Sequence, residues 1–204
     1  SLKEIRVLRI LLGANADEEK VNCLFESIFL GVLQGLTEFL PISSSAHLRI
    51  AGEFFSKAQD PGARFTAITQ IGTELAVLLF FRNDIKKIAF AWAQQTLLRK
   101  TLPVDEKLQA RIGWLIIVGS LPIGVLGYFG QDFITGSLRS LWLISSVMII
   151  FGVILGLADY YGKKTRNLEN LSVKHGILYG LAQSLALIPG VSRSGATIAM
   201  GRIL

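Results

Sequence analysis

Residues 34–47 read Gln34-Gly-Leu-Thr-Glu-Phe-Leu-Pro-Ile-Ser-Ser-Ser-Ala-His47, "QGLTEFLPISSSAH". They follow the apolar run "CLFESIFLGVL" (23–33), which is long enough to enter a bilayer but too short to cross it. Where hydrocarbon would continue, the chain places a carboxylate, a proline, three serines and a histidine. Backbone that leaves the helix at membrane depth survives only where protein or a water-filled cavity satisfies its polar groups. The stretch therefore predicts a broken or re-entrant helix facing a polar site.

The wider composition agrees. Of 204 residues, 51% are hydrophobic and 18% charged, below the usual quarter of a soluble protein. Twenty glycines suit close helix packing and helix breaks in a membrane. The single cysteine, Cys23, excludes an internal disulfide framework and a cysteine metal site. The net charge of +6 sits in loops between apolar segments, so it reads as a topology signal and not as a nucleic-acid surface. A soluble nucleic-acid binder is excluded by the apolar segments themselves.

Four more apolar stretches follow, at 65–81, 112–130, 141–158 and 176–190. The middle three approach the roughly 20 residues of a spanning helix. The last, like 23–40, is shorter and ends at a proline followed by hydroxyl residues. The fold class expected is an all-α polytopic membrane protein with two re-entrant or broken segments. Between Arg82 and Arg111 seven Lys/Arg face three Asp/Glu; 159–175 holds four basic residues and 131–140 only Arg139. The positive-inside rule then makes 82–111 and 159–175 cytoplasmic loops and 131–140 external. Trp92, Trp114 and Trp142 fall near segment ends, where interfacial tryptophans belong.

Residues 1–23 are expected to be an N-terminal extension and 24–204 the membrane domain. Leu2, Ile5, Leu8 and Leu12 share a helical face, which suits an interfacial helix. No signal peptide is visible, because basic residues are threaded through the apolar ones. The acidic "ADEEK" (16–20) reads as a solvated break.

The two short segments align without gaps. Residues 26–52 match 175–201 at seven identical pairs, among them Gly31/Gly180, Gln34/Gln183, Ser43/Ser192 and Ser45/Ser194. Three spans between the copies would reverse their sidedness, so the expectation is an inverted-topology repeat with its site at the repeat interface. The second copy starts near 175 and is cut short at Leu204, so the chain is expected to be a fragment.

The second break reads Pro189-Gly-Val-Ser-Arg-Ser-Gly-Ala-Thr197. The guanidinium of Arg193 suits phosphate oxygens, and Ser192, Ser194 and Thr197 add hydroxyl donors. Backbone N–H groups at a restarting helix favour an anion there. The alternative is an arginine snorkelling to the headgroups. In the first break Glu38 can bind Mg²⁺ or accept a proton, and Gln34 shares its helix face. Ser43, Ser44 and Ser45 offer hydroxyls, one of which can attack phosphorus beside a base, and His47 can carry a proton. An ion pair between Glu38 and Arg193 is a competing structural reading. Glu74, four residues after Gln70 inside an apolar run, either lines the same cavity or bonds a neighbouring helix.

The two motifs, "QGLTEFLPISSSAH" (34–47) and "PGVSRSGAT" (189–197), resemble those of the undecaprenyl-diphosphatase family, the bacitracin-resistance type of undecaprenyl pyrophosphate phosphatase. The first is similar to the family's Glu/Gln-x-x-x-Glu pattern with its serine-rich and histidine segment; the second to Pro-Gly-x-Ser-Arg-Ser-x-x-Thr. The resemblance runs from about residue 24 to the end. It implies an integral enzyme of the bacterial plasma membrane that removes the terminal phosphate of undecaprenyl diphosphate. The monophosphate carrier is thereby regenerated for peptidoglycan synthesis, with the site on the outer side. It also implies an inverted repeat and a divalent cation, Mg²⁺ with Ca²⁺ as the alternative. Residue by residue, Glu38 corresponds to the essential acid and Gln34 to the position where either Glu or Gln occurs; the cation is expected at Glu38. Ser44 and His47 correspond to the first motif's serine and histidine, and Arg193 to the second motif's arginine. The nucleophile stays open between serine, histidine and water. The family continues past the second motif with further apolar helices, and residues 1–23 precede its usual start. A lipid transporter or flippase holding the same headgroup uncleaved, or an inert structural fragment, are the competing functions.

Overall fold

The computed structural model describes residues 14–55, 62–130, 140–162 and 167–204. The expected interfacial helix near the N-terminus and most of the 131–140 loop lie outside those residues. Among the described residues the chain forms eight α-helices and no strand. They are α1 (Ala14–Glu38), α2 (Ser44–Gly52), α3 (Gly62–Phe80), α4 (Arg82–Thr96), α5 (Val104–Phe129), α6 (Leu141–Tyr161), α7 (Val173–Ser184) and α8 (Arg193–Ile203). Short 3₁₀ turns at Leu168–Asn170 and Leu185–Leu187 precede and follow α7.

Among the described residues two helices are long and apolar enough to cross a membrane, α5 and α6. At 1.5 Å per residue their 26 and 21 residues reach about 39 and 31 Å, against a hydrocarbon core of about 30 Å. The pair α3 and α4, bent by 73° at Phe81, has the length and apolarity of a broken span or a re-entrant loop. The protein is thus a helical membrane protein, as its hydropathy requires.

Side-chain sizes are distributed accordingly. Small residues fill the interior, including Ala91, Ala110, Ala158, Ala182, Ala196 and Ala199, whereas Ile149, Ile150, Val153 and Leu157 of α6 point outward. Hydrocarbon solvates large apolar side chains as well as protein does, so close backbone packing, not apolar burial, holds such helices together. A close backbone crossing joins α5 to α7. A Cβ on Gly180 would lie 2.4 Å from the Gly119 carbonyl oxygen, and one on Gly119 would lie 3.2 Å from that of Gly176. Gly176 and Gly180 form a small-xxx-small pair on one face of α7. Gln183 adds a hydrogen bond, donating from Nε2 to the Gly119 carbonyl at 3.0 Å.

Two sequence expectations are corrected. The stretch 82–111, expected to be a loop, contains the helix α4, which lies along α5 with Trp92 and Trp114 edge to face at 5.6 Å. Lys86 and Lys87 had marked it as loop, yet its Ala91–Trp92 face packs on α5 while Lys87 stays exposed. Those two tryptophans therefore pack helix on helix, whereas Trp142 is exposed as an interfacial residue would be. The stretch "ADEEK" lies within α1 and is not a break. Alanine, glutamate and lysine are strong helix formers, and acidic residues suit a helix start.

Both polar motifs form helix–break–helix hairpins, α1–α2 and α7–α8. In the first, α1 ends at Glu38, and the chain turns through Pro41 to Ser43, whose φ of 65° is left-handed. In the second, Gly190 takes φ 104°, and a Cβ there would lie 2.8 Å from the Ile144 carbonyl oxygen, so glycine is required. The second break is packed by Phe151 of α6 against Val191 and Ala196.

Candidate active site

The two breaks meet. Ser194 Oγ donates to the Leu40 carbonyl at 3.2 Å, joining positions 154 residues apart. The starts of α2 and α8 consequently face a common cavity of about 90 Å³, lined by Glu38, Ser43, Ser44, Ser45, Ser192 and Arg193. A second cavity of about 220 Å³ shares Glu38 and Arg193 and adds Glu74, Gln183, Ser194 and Thr197. Helix α3 contributes one stripe to both, with Thr66 and Gln70 on the smaller and Thr73 and Glu74 on the larger. These spacings of three and four residues are one helical face.

Within the first motif a single carboxylate oxygen collects two donors. Glu38 Oε2 accepts from Gln34 Nε2 at 2.8 Å and from Ser44 Oγ at 2.5 Å. Gln34 is fully buried one turn before Glu38, and its Oε1 has no hydrogen-bond partner. Gln34 thus supports the acid from behind and lines neither of these two cavities. Ser43 and Ser45 place their hydroxyls 3.4 Å apart.

The second motif repeats that local form. Ser192 and Ser194 hydroxyls are 3.0 Å apart, and Ser192 Oγ caps α8 by accepting from Gly195 N at 3.1 Å. Arg193 Nη1 donates to Glu74 Oε1 at 2.9 Å, and Gln70 Nε2 reaches the same oxygen at 3.4 Å. The arginine's carboxylate partner is therefore Glu74 and not Glu38, and Glu74 belongs to the cavity wall. Thr197 lines the larger cavity with its hydroxyl turned onto the Arg193 and Ser194 carbonyls of its own helix.

His47 takes a different place. Its Nδ1 lies 2.8 Å from the Ser43 carbonyl oxygen, and it lines neither cavity. A carbonyl only accepts, so Nδ1 is the donor in this contact. Sequence reasoning passed over Thr66, Gln70, Thr73 and Gln183 as site residues. For Gln70 and Gln183 a signal existed, since Gln70 shares the face of Glu74 and Gln183 is the repeat partner of Gln34.

Fold and site together define a helical membrane protein whose acid, arginine and hydroxyl groups are gathered where two helices break. The family model for bacitracin resistance protein BacA matches residues 27–204, and the chain belongs to that family. An undecaprenyl-diphosphatase of Micrococcus luteus is 60% identical over 176 residues, covering 86% of this chain and 62% of that protein. One from Arthrobacter sp. (strain FB24) is 58% identical over 180 residues, covering 88% and 62%. An undecaprenyl-diphosphatase 2 of Agrobacterium fabrum is 59% identical over 179 residues, covering 88% and 63%. The chain thus spans a little over three-fifths of the length of these curated relatives.

Proposed function

We propose that the protein hydrolyses undecaprenyl diphosphate to undecaprenyl phosphate and inorganic phosphate. The observation that carries this reading is the convergence of Glu38, Ser44 and Arg193, from two distant helix breaks, on one cavity. The names of the relatives from Micrococcus and Arthrobacter support the substrate. Such an activity would recycle the lipid carrier for peptidoglycan synthesis and confer resistance to bacitracin.

The residues divide the work as follows. Arg193 presents two donor edges to the terminal phosphate, leaving Glu74 to do so. Ser192, Ser194 and the first N–H groups of α2 and α8 surround the remaining oxygens, at the positive ends of two helices. Ser44 Oγ attacks the terminal phosphorus as its proton passes to Glu38 Oε2, already in hydrogen-bond contact. The bond to the bridging oxygen breaks, and undecaprenyl phosphate leaves. Water then cleaves the phosphoserine, Glu38 returning the proton to Ser44. His47 orders the strained Ser43 backbone on which Ser44 depends.

The donor set suits a divalent cation. Two carboxylates, Glu38 and Glu74, line one cavity, and Mg²⁺ is commonly held by one or two carboxylates together with substrate phosphates. No cluster of three His, Cys, Asp or Glu occurs among the described residues, which suits Mg²⁺ better than a metal caged wholly by protein. When bound, the ion would neutralise charge on the phosphate oxygens. Ca²⁺ would find the same donors.

Loop charge supports a plasma-membrane orientation with 82–111 cytoplasmic and the site open to the outer side, the two hairpins entering from opposite faces as an inverted repeat. Phosphate release from undecaprenyl diphosphate in detergent with Mg²⁺, compared with Arg193→Ala, tests the reading. Release that the substitution abolishes supports it. Headgroup binding without release would turn the site into that of a lipid carrier or flippase.

A further inference from the structure

An open, mostly apolar groove of about 430 Å³ runs along the seam of α5 and α7, beside the polar site. Its α5 wall is Ile112, Ile116 and Ser120, at helical spacing; its α7 wall is Gly176, Tyr179 and Gln183. Two residues, Gln183 and Thr197, line both this groove and the cavity that holds Glu38 and Arg193. The polar and apolar spaces are therefore neighbours that share two lining residues.

We propose that this groove receives the first isoprene units of the substrate's prenyl chain while the diphosphate occupies the site at Glu38 and Arg193. The proposal rests on the hydrolytic reading above and adds where the lipid tail lies. Its volume falls within the 300–1,000 Å³ of small-ligand pockets. From Ile112 to Ser120 it extends about 12 Å along α5, enough for the first few units and far too short for the whole chain.

Three observations select a prenyl diphosphate as occupant. One end is anion-seeking and the other apolar, which an amphiphile with a phosphate head satisfies and a uniformly apolar lipid does not. The Gly119–Gly180 backbone contact and the bond from Gln183 to the Gly119 carbonyl fix the crossing that forms the groove's floor. The direction also agrees. The far end, at Leu168 and Leu171, is tied to α5 through Arg111, which donates to the Glu169 carbonyl at 3.3 Å and also to that of Leu171. Loop charge puts the Arg111 end on the cytoplasmic side, so the groove leads inward from the site. A lipid whose headgroup enters from the outer face extends its tail in that direction.

The test uses the full-length protein in detergent with two bulky substitutions outside the polar site, Ile116→Trp and, should that variant aggregate, Ile112→Phe. The readout is the ratio of kcat/KM for undecaprenyl diphosphate to that for a short soluble prenyl diphosphate. It should fall roughly tenfold, the worth of two methylenes denied burial. An unchanged ratio overturns the proposal. A second arm photolyses a prenyl diphosphate carrying a diazirine in its first isoprene units and maps the label by mass spectrometry. Label on 112–120 and 176–183 supports the proposal even if the protein releases no phosphate, which would sink the hydrolytic reading alone. Label elsewhere shows that detergent or another segment of the protein fills the groove and overturns the proposal.

Discussion

Arg193 Nη1 and Glu74 Oε1 are 2.9 Å apart, although 119 residues separate them in the chain. Both side chains remain roughly half exposed, at 45% and 52%. A pair so exposed adds little to stability, since solvent screens the attraction and two long side chains must be ordered. Its value lies in placement: it holds Arg193 at the cavity wall and keeps a second carboxylate on the cavity that Glu38 lines. Glu74→Gln should therefore shift the melting temperature by less than about 3 °C. It should raise the Mg²⁺ needed for half-maximal phosphate release roughly tenfold. An unchanged Mg²⁺ titration would remove Glu74 from the cation's donors.

Arg193→Lys keeps the charge and loses the planar fork. If two-point contact with phosphate matters, kcat/KM should fall by about a hundredfold or more despite the retained charge. Steady-state phosphate release decides this, and near-normal activity would reduce Arg193 to a point charge.

Ser44 bonds to Glu38 at 2.5 Å, the contact from which its role as nucleophile is argued. Ser44→Ala should lower kcat by about a thousandfold while leaving KM within about threefold. A phosphorylated intermediate trapped by acid quench should appear on Ser44 in the active protein. Label on His47, or on no residue with activity intact, would transfer the attack to histidine or water.

His47 is expected to act through structure. Its hydrogen bond to the Ser43 carbonyl holds a residue with φ 65° next to Ser44. His47→Ala should cost about 1 kcal/mol of stability and lower kcat by no more than about tenfold. A loss as large as that of Ser44→Ala, with stability unchanged, would show that the imidazole moves a proton in the reaction.

Gly180→Ala tests the packing beneath the site. The new Cβ would meet the Gly119 carbonyl oxygen at 2.4 Å, so α5 and α7 must separate. Overpacking of this kind should destabilise the protein by about 1–3 kcal/mol, read as a lower unfolding midpoint in detergent. A midpoint equal to wild type would mean that the crossing is looser than its geometry implies.

Much of the site was legible in the sequence because hydrocarbon is intolerant. A serine-rich break after a short apolar run, or an arginine between two serines, is too costly in a bilayer without a cavity or a partner, so Glu38, Ser44 and Arg193 stood out. Helix α4 did not stand out. Its lysines were counted as loop charge, and an amphipathic helix that buries only its Ala91–Trp92 edge on α5 resembles a polar linker by composition. The role of His47 was also hidden, since nothing in "SSSAH" tells whether the ring turns to the cavity or back to a carbonyl.

What the sequence by itself determined is where the helices break and which acids, hydroxyls and guanidinium stand at the breaks. Those are local properties, dictated by proline, glycine and the cost of polar groups in an apolar run. Only the tertiary structure decided that Arg193 meets Glu74 while Glu38 keeps Ser44 and Gln34, and that a mostly apolar groove runs beside them. These pairings depend on how α3 and α8 are rotated and how closely α5 approaches α7. Rotation and approach are set by backbone contacts at Gly119 and Gly180 and by packing at the two breaks, between residues far apart in the chain.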